Sequence, residues 1–578
     1  MKYIIVGAVA GGASTAARLR RLDEHAEIIL FEKGEFISYA NCGLPYYIGD
    51  VIKDRNKLFV QTAASFNQRF NIDVRVTTEV TRIDPEKKTV TAVKQTTGEV
   101  YEEGYDKLVL SPGAEPLRPP LPGISSEGIF TLRNVRDTDY IKSYIRDKQV
   151  RKAVIVGAGF IGLEMAENFH GLGIDVTIVE MGNQILAPVD FPIAAIVQQH
   201  IRSKGINLML NNAVTSFTIS GRHINVALKN GEVLNTDMVL LSIGVRPDTK
   251  LAVQAGLRVG PAKGIWVNEY LQTSDPDIYA VGDAIEFENP ITGQSMNTYL
   301  AGPANKQGRI CANNIVLGNV QKYLGSINTA IVKVFDLTVG TSGTASRHLK
   351  AANIDHIIST TRSGSHAAYY PDAKQMTIQI AFSPKDGRLL SAQIAGYDGV
   401  DKRLDILSSF IMQRGTIYNL IEFEHGYAPP YSSAKDPVNM AGFVAENILL
   451  ERLKVFYWNE TEYIKPDDIL IDVRRNDEYS EGKIAGAINI PVDEIRDRLD
   501  EIPKGVNIYI YCEAGLRGWL AQRILVQNGF NNVFNLSGGY YLWQACVSES
   551  GLSASNDKDF IKLPEVIKNS RPLTLIAS

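Results

Sequence analysis

Two segments of this chain repeat one pattern about 150 residues apart. Residues 3–32 read YIIVGAVAGGASTAARLRRLDEHAEIILFE, and residues 152–180 read KAVIVGAGFIGLEMAENFHGLGIDVTIVE. Each segment has a β-branched strand, a glycine turn, a helix with apolar residues every three to four positions, and a second strand that ends in Glu. This order predicts two βαβ units of the kind that binds a dinucleotide.

The glycines and the terminal glutamates are the residues that would contact the nucleotides. Glycine lets the backbone approach a pyrophosphate at a helix N-terminus, and the carboxylate accepts a hydrogen bond from a ribose hydroxyl. A single GxGxxG also occurs as a plain glycine turn, but two copies, each followed by a correctly placed Glu, favour two bound dinucleotides. Glu180 would repel a 2′-phosphate, so the second site should prefer NADH to NADPH. The predicted residues are Gly7, Gly11, Gly12 and Glu32 in the first copy, and Gly157, Gly159, Gly162 and Glu180 in the second.

Composition narrows the class of protein. The 578 residues are 45% hydrophobic and 21% charged, which is typical of a soluble protein of about four domains. The 60 basic and 64 acidic side chains give no electrostatic reason to expect nucleic acid. No apolar run reaches about 18 residues, so no membrane span is expected. The four scattered cysteines favour a reducing cytoplasm and predict neither a disulfide scaffold nor a metal site.

Residues 273–283, TSDPDIYAVGD, form a predicted strand that ends on Gly282 and Asp283. Alone this is an ordinary turn, but beside two nucleotide units it resembles the segment by which flavoprotein disulfide reductases hold the FAD ribitol, through Asp283. LVLSPGAEP (108–116) and LLSIGVRPD (240–248) resemble that family's two domain-crossing strands. The resemblance implies an FAD domain at 1–115 and 250–325, with an NADH domain inserted at 116–249.

The rest of the chain predicts two smaller units. In residues 326–450, polar and apolar residues alternate in stretches such as TAIVKVFDLTVGT and MTIQIAF, and helices are predicted at 401–414 and 438–450. This pattern predicts an α+β unit. By resemblance this is the family's dimerisation domain, so a homodimer is implied. A linker at 451–466 precedes a small α/β domain at 467–548 with strands in DILIDVR, AGAINIP, VNIYIYC and NVFNLSGG. Residues 549–578 are expected to be a loosely ordered tail.

Cys42 lies ten residues past Glu32, in SYANCGLPYYIGD. A lone cysteine is usually a small buried hydrophobe, but the polar neighbours of Cys42 oppose that interpretation. If residues 1–32 hold the ADP half of FAD, the next helix should bring Cys42 beneath the isoalloxazine. No second cysteine follows at CxxxxC spacing, so a single redox cysteine must find its partner on the substrate. This fits either of two reactions, a disulfide exchange with a thiol carrier or the formation of a sulfenic acid on Cys42 itself.

Several motifs resemble coenzyme A disulfide reductases, namely GAVAGGAS, ARLRRL, NCGLPYYIG, HAAYYP (366–371) and YAPPYSSAKDPVN (427–439). NADH peroxidases and oxidases of the wider family carry a His where this chain has Ala10. Arg18 and Arg21 are one helical turn apart and suit the ADP phosphates of coenzyme A, although alone they would be a solvated basic face. At one position near the coenzyme A carrier, where the family has a basic residue, this chain has Phe70. The resemblance implies a coenzyme A groove lined by Ser14, Arg18, Arg21, Ser38, Asn41, Asn305 and Lys435.

The same resemblance implies that Tyr369 and Tyr427 reach across a dimer to the cysteine of the other subunit. Their phenols could protonate a departing thiolate. Tyr370 and Tyr431 are nearby alternatives for this role.

Cys512 begins CEAGLRG, directly after an apolar strand and directly before a helix. Such a cysteine sits at a helix N-terminus, where amides lower its pKa and Arg517 adds positive charge. The CxxGxR pattern, together with LSGGYYLW, resembles a single-domain rhodanese, whose loop cradles a cysteine persulfide. A phosphatase loop would place five residues between Cys and Arg, whereas four separate Cys512 from Arg517. Cys311 and Cys546 look like helix core residues.

These features predict an α/β enzyme with two Rossmann-like domains for FAD and NADH, an α+β dimerisation domain and a rhodanese domain. The expected activity is NADH-dependent reduction of a persulfide, a polysulfide or coenzyme A disulfide, with Cys42 attacking the sulfur–sulfur bond and Cys512 handling sulfane sulfur. An NADH oxidase or peroxidase with a single redox cysteine is an alternative. A flavin-bearing redox sensor or binding protein is another.

Overall fold

The computed structural model describes residues 1–551. They divide into two compact units, of which the first comprises Met1–Gly182 and Ile206–Asn328. The second comprises Asn183–Gly205 and the described residues from Thr329 onward. Most of the predicted C-terminal tail, residues 552–578, lies outside the described residues.

The first sequence repeat forms the βαβ unit that its pattern predicts. Strands β1 (Lys2–Val6) and β2 (Glu27–Phe31) pair in parallel, and helix α1 (Ala10–Leu22) joins them. They belong to a five-stranded sheet in which Ile278–Ala280, Lys107–Leu110, β1, β2 and Asp73–Arg75 follow one another. The other elements up to residue 116 are α2 (Leu44–Ile48), α3 (Ala63–Phe70), β3 (Asp73–Arg75), β4 (Thr78–Asp84), β5 (Thr89–Lys94), β6 (Glu99–Gly104), β7 (Lys107–Leu110) and β8 (Ala114–Pro116).

The second repeat forms an equivalent unit, with parallel strands β10 and β11 around helix α5. Its sheet has the strand order β12-β11-β10-β16-β9. The crossing strands expected from the sequence pair antiparallel with each other, as β8 and β17. These elements are β9 (Ile129–Phe130), α4 (Val135–Asp147), β10 (Lys152–Val156), α5 (Phe160–Gly171), β11 (Asp175–Val179), α6 (Phe191–Ser203), β12 (Asn207–Met209), β13 (Val214–Ser220), β14 (His223–Leu228), β15 (Val233–Thr236), β16 (Met238–Leu241) and β17 (Val245–Pro247).

The segment after β17 returns to the first sheet. Its elements are α7 (Lys250–Gln254), β18 (Ile265–Trp266), β19 (Ile278–Ala280), β20 (Ile285–Glu288), β21 (Ser295–Met296) and α8 (Ala301–Leu317). Strand β19 pairs in parallel with β7, and a short 3-10 turn at Gly282–Ala284 follows it. The strand predicted over 273–283 is therefore shorter than expected, because it ends at Ala280 and Asp283 lies in the turn that follows. Helix α8 packs against α1.

Residues 330–449 form an antiparallel sheet of order β22-β23-β26-β25-β24 with helices. Its elements are β22 (Ala330–Val334), β23 (Leu337–Gly343), α9 (Ser346–Ala351), β24 (Ile357–Gly364), β25 (Gln375–Phe382), β26 (Leu389–Gly396), α10 (Val400–Met412), α11 (Ile417–Glu422) and α12 (Pro437–Leu449). The two helices predicted at 401–414 and 438–450 are confirmed as α10 and α12. Helix α11 was not predicted, because its six residues are too few to show a helical period.

The C-terminal part is a parallel sheet of order β27-β31-β30-β28-β29. Each of its four predicted strands is present, and a further strand, β27, lies inside the segment predicted as a linker. The elements are β27 (Val455–Phe456), β28 (Ile469–Asp472), α13 (Asn476–Glu481), β29 (Ile488–Asn489), β30 (Ile508–Tyr511), α14 (Leu516–Gln527), β31 (Val533–Leu536) and α15 (Gly539–Ser550). Among the helices of residues 1–551, none is long and apolar enough to cross a membrane.

Candidate active sites

The first glycine turn joins β1 to α1 with a backbone that only glycine allows. Gly7 has a φ of +96°, and a Cβ atom there would overlap the carbonyl oxygen of Ser111. A Cβ at Gly12 would overlap the Gly7 carbonyl, so α1 lies too close to the turn for any side chain. Helix α1 begins without a side-chain cap, which leaves its first N–H groups free for a phosphate. These residues fit the pyrophosphate of a dinucleotide.

The second turn, between β10 and α5, repeats this geometry. Gly157 has a φ of +100°, and a Cβ at Gly162 would overlap the Gly157 carbonyl oxygen. A Cβ at Gly159 would meet nothing within 4 Å, so open space lies in front of the turn where a phosphate would sit. Helix α5 also begins without a side-chain cap. The second site therefore fits a dinucleotide as well as the first does.

The two terminal glutamates are held in the same way. Glu32 accepts hydrogen bonds from the backbone N–H groups of Ala8 (3.0 Å) and Gly34 (2.7 Å). Glu180 accepts from Ala158 and Gly182, both at 2.8 Å. Each carboxylate thus closes over its own glycine turn, where a ribose would lie.

Asp283 lies in the turn that follows β19. Burial raises the pKa of Asp283, and the Arg133 guanidinium, which is 3.6 Å away, opposes that shift. A carboxylate this far from water is costly without hydrogen-bond donors. The hydroxyl groups of the FAD ribitol would supply them, so Asp283 fits the predicted role.

Cys42 lies in a short 3-10 turn, Asn41–Gly43, directly before α2, and its side chain is exposed. The protein around the thiol still removes part of its hydration. This desolvation, followed by the negative charges of Glu164 and Asp283, raises the pKa of Cys42. Cys42 and Asp283 are therefore electrostatic neighbours, which brings a predicted nucleophile to a predicted flavin contact.

Glu164 was not predicted as a site residue. It lies on α5, two residues after Gly162, and burial raises its pKa to about 7. The Tyr46 hydroxyl donates a long hydrogen bond to it, at 3.4 Å. A carboxyl group between the apolar residues Leu163 and Met165, at the start of the helix that follows a dinucleotide motif, is the sequence signal that could have identified it.

A cavity of about 350 Å³ opens beside α1 and α8. Five of the residues predicted for a coenzyme A groove line it: Ser14, Arg18, Arg21, Ser38 and Asn305. The Ser14 hydroxyl donates a short hydrogen bond to the Asn305 amide oxygen. The other residues of the lining, which were not predicted, are Ala13, Ala17, Gln61, Phe66, Phe70 and Arg309. Arg309 is one helical turn after Asn305, and this spacing could have identified it.

Three guanidinium groups give this cavity its charge. Arg18 donates to the Asn313 amide at 2.9 Å, and burial together with the neighbouring Arg309 and Arg21 lowers the pKa of Arg18. Within residues 1–551, none of the three forms an ion pair with a carboxylate. An anion with several negative charges would therefore be bound here without displacing a carboxylate from these guanidiniums.

Two predicted groove residues lie elsewhere. Asn41 does not line the cavity, and its buried amide oxygen has no hydrogen-bond partner. Lys435 is exposed in the second compact unit, two residues before α12.

Tyr369 and Tyr427 are 58 residues apart in sequence, yet their hydroxyl groups lie 2.7 Å from each other. Their side chains are 75% and 48% exposed, so the pair faces solvent in the single chain. The hydrogen bond between the two phenols raises the pKa of Tyr369. Of the two alternatives, Tyr370 packs edge-on against the His366 ring, and Tyr431 is exposed.

A buried ion pair anchors the segment that carries Tyr427. Arg403, on α10, donates to Asp436 at 2.7 Å, and both side chains are almost completely buried. The same guanidinium donates to the Ser365 carbonyl at 2.9 Å, and the Ser432 hydroxyl donates to Asp436 at 2.5 Å. Arg403 therefore connects both tyrosine-bearing segments to one helix.

Cys512 lies between β30 and α14, as predicted. The Gly515 backbone, with a φ of +109°, turns its N–H toward the Cys512 sulfur at 3.1 Å. Gly539 lies beneath the loop, where a Cβ would meet the Cys512 and Glu513 carbonyl oxygens at 2.6 Å. The Tyr540 N–H donates to the Cys512 carbonyl at 2.8 Å. The loop thus directs the Gly515 amide toward the sulfur, while the Tyr540 amide holds the Cys512 backbone in place.

Arg517 does not stand free in this loop. It makes two hydrogen bonds with Glu478, at 2.6 and 2.7 Å. Burial opposes the charge of Glu478, but these bonds hold its pKa below the usual range. Glu513, next to Cys512, lies 3.9 Å from Arg362 and 3.6 Å from Arg474. Burial raises the pKa of Glu513, and the two guanidiniums oppose that shift.

The two remaining cysteines are buried, as expected for core residues. Burial raises the pKa of both Cys311 and Cys546. Within the described part of the chain, no group of three or more His, Cys, Asp or Glu side chains is placed to hold a metal ion.

Comparison with known proteins agrees with this geometry. Residues 1–308 match the pyridine nucleotide-disulphide oxidoreductase family, and residues 458–546 match the rhodanese-like domain. The coenzyme A disulfide reductase of Staphylococcus epidermidis is 36% identical over 448 residues, which are 77% of this chain and 100% of the relative.

Two solved structures align with nearly the whole chain. Reduced Bacillus anthracis CoADR-RHD is 48% identical with a TM-score of 0.93, and the alignment covers 95% of this chain and 98% of that one. The NAD-dependent persulfide reductase from A. fulgidus is 36% identical with a TM-score of 0.88, covering 94% and 100%. The predicted α/β fold class is confirmed. The chain belongs to the pyridine nucleotide-disulphide oxidoreductase family and carries a rhodanese-like domain after its reductase part.

Proposed function

We propose that this chain is an FAD-dependent reductase that uses NADH to cleave the sulfur–sulfur bond of a small persulfide, polysulfide or coenzyme A disulfide. The observation that carries the proposal is the position of Cys42. Its thiol is exposed, and its pKa responds to the negative charges of Asp283 and of Glu164. Glu164 lies on the helix that begins at the second glycine turn. Every other cysteine is buried, so a disulfide partner for Cys42 must come from a substrate.

The cofactors follow from the two glycine turns. The first turn, with Glu32 and Asp283, would hold FAD, and the second turn, with Glu180, would hold NADH in preference to NADPH. When bound, the flavin passes the two electrons of NADH to sulfur.

Cys42 would act as the nucleophile. Its thiolate attacks one sulfur of the substrate, forms a mixed disulfide and expels the other sulfur as a thiol or as hydrogen sulfide. With a persulfide, the overall reaction consumes NADH, one proton and RSSH, and it releases NAD⁺, RSH and hydrogen sulfide. For coenzyme A disulfide, two molecules of coenzyme A leave.

Coenzyme A, or its persulfide, would occupy the 350 Å³ cavity. The three unpaired guanidiniums of Arg18, Arg21 and Arg309 support binding of its phosphates. Arg309 would supply the positive charge that Phe70 does not. Asn41 and Lys435 remain proposed contacts from outside the cavity.

The chain would act as a homodimer in the cytoplasm. Free cysteines are typical of a reducing compartment. The exposed Tyr369–Tyr427 pair is suited to contact a second subunit, where it would protonate the thiolate that leaves Cys42. Sedimentation of the holoenzyme measures the predicted dimer.

Cys512 would accept sulfane sulfur as a persulfide, or pass it to coenzyme A. The Gly515 amide on its sulfur and the charge of Arg517 support this role. Cys512 would then supply the reductase part of the chain with substrate.

Anaerobic NADH turnover against each acceptor, with sulfide quantified, tests the function. We expect Cys42→Ser to lose at least about a hundredfold in turnover with every acceptor, because the nucleophile is removed. Cys512→Ala should lose activity only with donors that need sulfur transfer, and the buried Cys546→Ala is the matched control. Full turnover by Cys42→Ser would contradict the proposal. Rapid consumption of oxygen or peroxide without a sulfur substrate would instead support an NADH oxidase or peroxidase.

A further inference from the structure

The guanidinium groups that border the Cys512 loop are each paired with a carboxylate of the protein. Arg517 is bound by Glu478 through two hydrogen bonds, and Arg474 is bound by Asp472 at 2.7 and 3.0 Å. Arg362 lies 3.9 Å from Glu513 and stacks at 3.9 Å over the Tyr541 ring. Three guanidiniums therefore face three carboxylates, and the exposed Arg475–Asp477 pair adds no net charge.

Because the guanidiniums already face carboxylates, the Gly515 amide is the anion-stabilising group beside the sulfur that no carboxylate neutralises. The Gly515 N–H already points at the Cys512 sulfur. Once Cys512 is a thiolate, the cradle carries its negative charge as well. A donor with two further negative charges would find the guanidiniums of Arg362, Arg474 and Arg517 already paired with carboxylates, and partly buried like charges repel strongly.

The residues at the start of α14 support a donor of low charge. Leu516 lies inside the loop itself and is 48% exposed, and Leu520, one helical turn later, is 45% exposed. Side chains at this spacing lie on the same face of a helix, so the helix presents an apolar surface directly after the cradle.

We propose that Glu478 and Glu513 set the donor specificity of Cys512, so that it takes sulfur from organic persulfides of low charge and excludes dianionic donors such as thiosulfate. The inference rests on the proposed role of Cys512 as a sulfur acceptor. The Cys512 thiolate attacks the terminal sulfur of R–S–SH, so that a new S–S bond forms between Cys512 and that sulfur and the S–S bond of the donor breaks. The electron pair leaves on R–S⁻, and the proton stays on the transferred sulfur.

The test uses the full-length holoenzyme in a Cys42→Ser background, so that the new persulfide is not reduced. Two probes are compared, thiosulfate and 2-hydroxyethyl persulfide, and the gain of one sulfur atom on Cys512 is followed by mass spectrometry. We expect the persulfide to react at least about a hundredfold faster, because charge repulsion of about 2.8 kcal/mol corresponds to that ratio.

The two glutamates are then replaced by isosteric amides. Glu478→Gln and Glu513→Gln should each raise the thiosulfate rate about tenfold, the change that about 1.4 kcal/mol gives, and change the persulfide rate less than about threefold. Glu481→Gln, an exposed carboxylate on the same helix as Glu478, should change neither rate. Because each glutamate is tested separately, the loss of one variant through misfolding leaves the other.

Two results would overturn the inference. Equal rates with the two donors in the parent would do so, as would parallel changes for both donors in the glutamine variants. If neither donor places sulfur on Cys512 in any variant, the proposed acceptor role itself fails, and the specificity fails with it.

Discussion

Replacing Arg403 with Met should destabilise the second compact unit strongly. Arg403 and Asp436 are 1% and 0% exposed, and Arg403 is the largest fully buried side chain described. Removing one partner of a buried ion pair leaves an uncompensated charge and typically costs about 3–5 kcal/mol. The described part of this unit has about 250 residues, for which the unfolding entropy is about 0.5 kcal/mol/K. The thermal midpoint should therefore fall by about 6–10 °C.

The assay is thermal unfolding of the full-length protein, followed by tyrosine and tryptophan fluorescence. Lys402→Met, on the neighbouring and more exposed position of the same helix, is the matched control and should shift the midpoint by less than about 2 °C. The double variant Arg403→Met/Asp436→Asn should recover part of the loss, because Asn keeps the oxygen that caps α12 without keeping the charge. A midpoint that stays within about 1 °C of the parent in Arg403→Met, or an equal fall in Lys402→Met, would refute the reasoning.

Three further outcomes are expected. Glu164→Gln removes a negative charge that raises the pKa of Cys42, so the midpoint pH for alkylation of that thiol by iodoacetamide should fall by about one pH unit. The remote control Glu79→Gln should leave this midpoint unchanged. An unchanged midpoint in Glu164→Gln would contradict the electrostatic account. Hydrogen bonds hold the pKa of Asp436 below its usual range despite burial, so its stabilisation is present above about pH 4 and is lost as the pH falls through the lowered value. Asp436→Asn should therefore flatten the acid side of the stability profile, and parallel profiles would argue against this assignment. Gly162→Ala should raise the KM for NADH at least about tenfold, because the added methyl group overlaps the second glycine turn alone. The flavin content, measured by absorbance, should stay constant. Loss of flavin in this variant would show that the two turns are not independent.

Features that depend on neighbouring residues in the chain were predictable. The glycine turns, their glutamates and the strand before Asp283 are local patterns, and each occurs where the sequence places it. The Cys512 loop was predictable for the same reason, since one strand, four loop residues and one helix determine it.

Partners that meet only through tertiary packing were not predictable. Arg309 joins Arg18 because α8 packs on α1, nearly 300 residues away in sequence. Glu164 comes close to Cys42 through the packing of α2 and α5. A local signal could have identified Arg309 or Glu164 as a candidate, but no periodicity in a single sequence shows which distant residue each one contacts.

The two-residue strand β27 has a practical consequence for dissection of the protein. Val455–Phe456 pair in parallel with Asn535 and Leu536, so the sheet that supports the sulfur-transfer loop begins well before its first long strand. A fragment cut at residue 467 would expose the backbone of β31 as an open edge, and open edges promote aggregation. A stand-alone rhodanese-like domain should therefore start upstream of Val455, and the short truncation should precipitate where the longer one stays in solution.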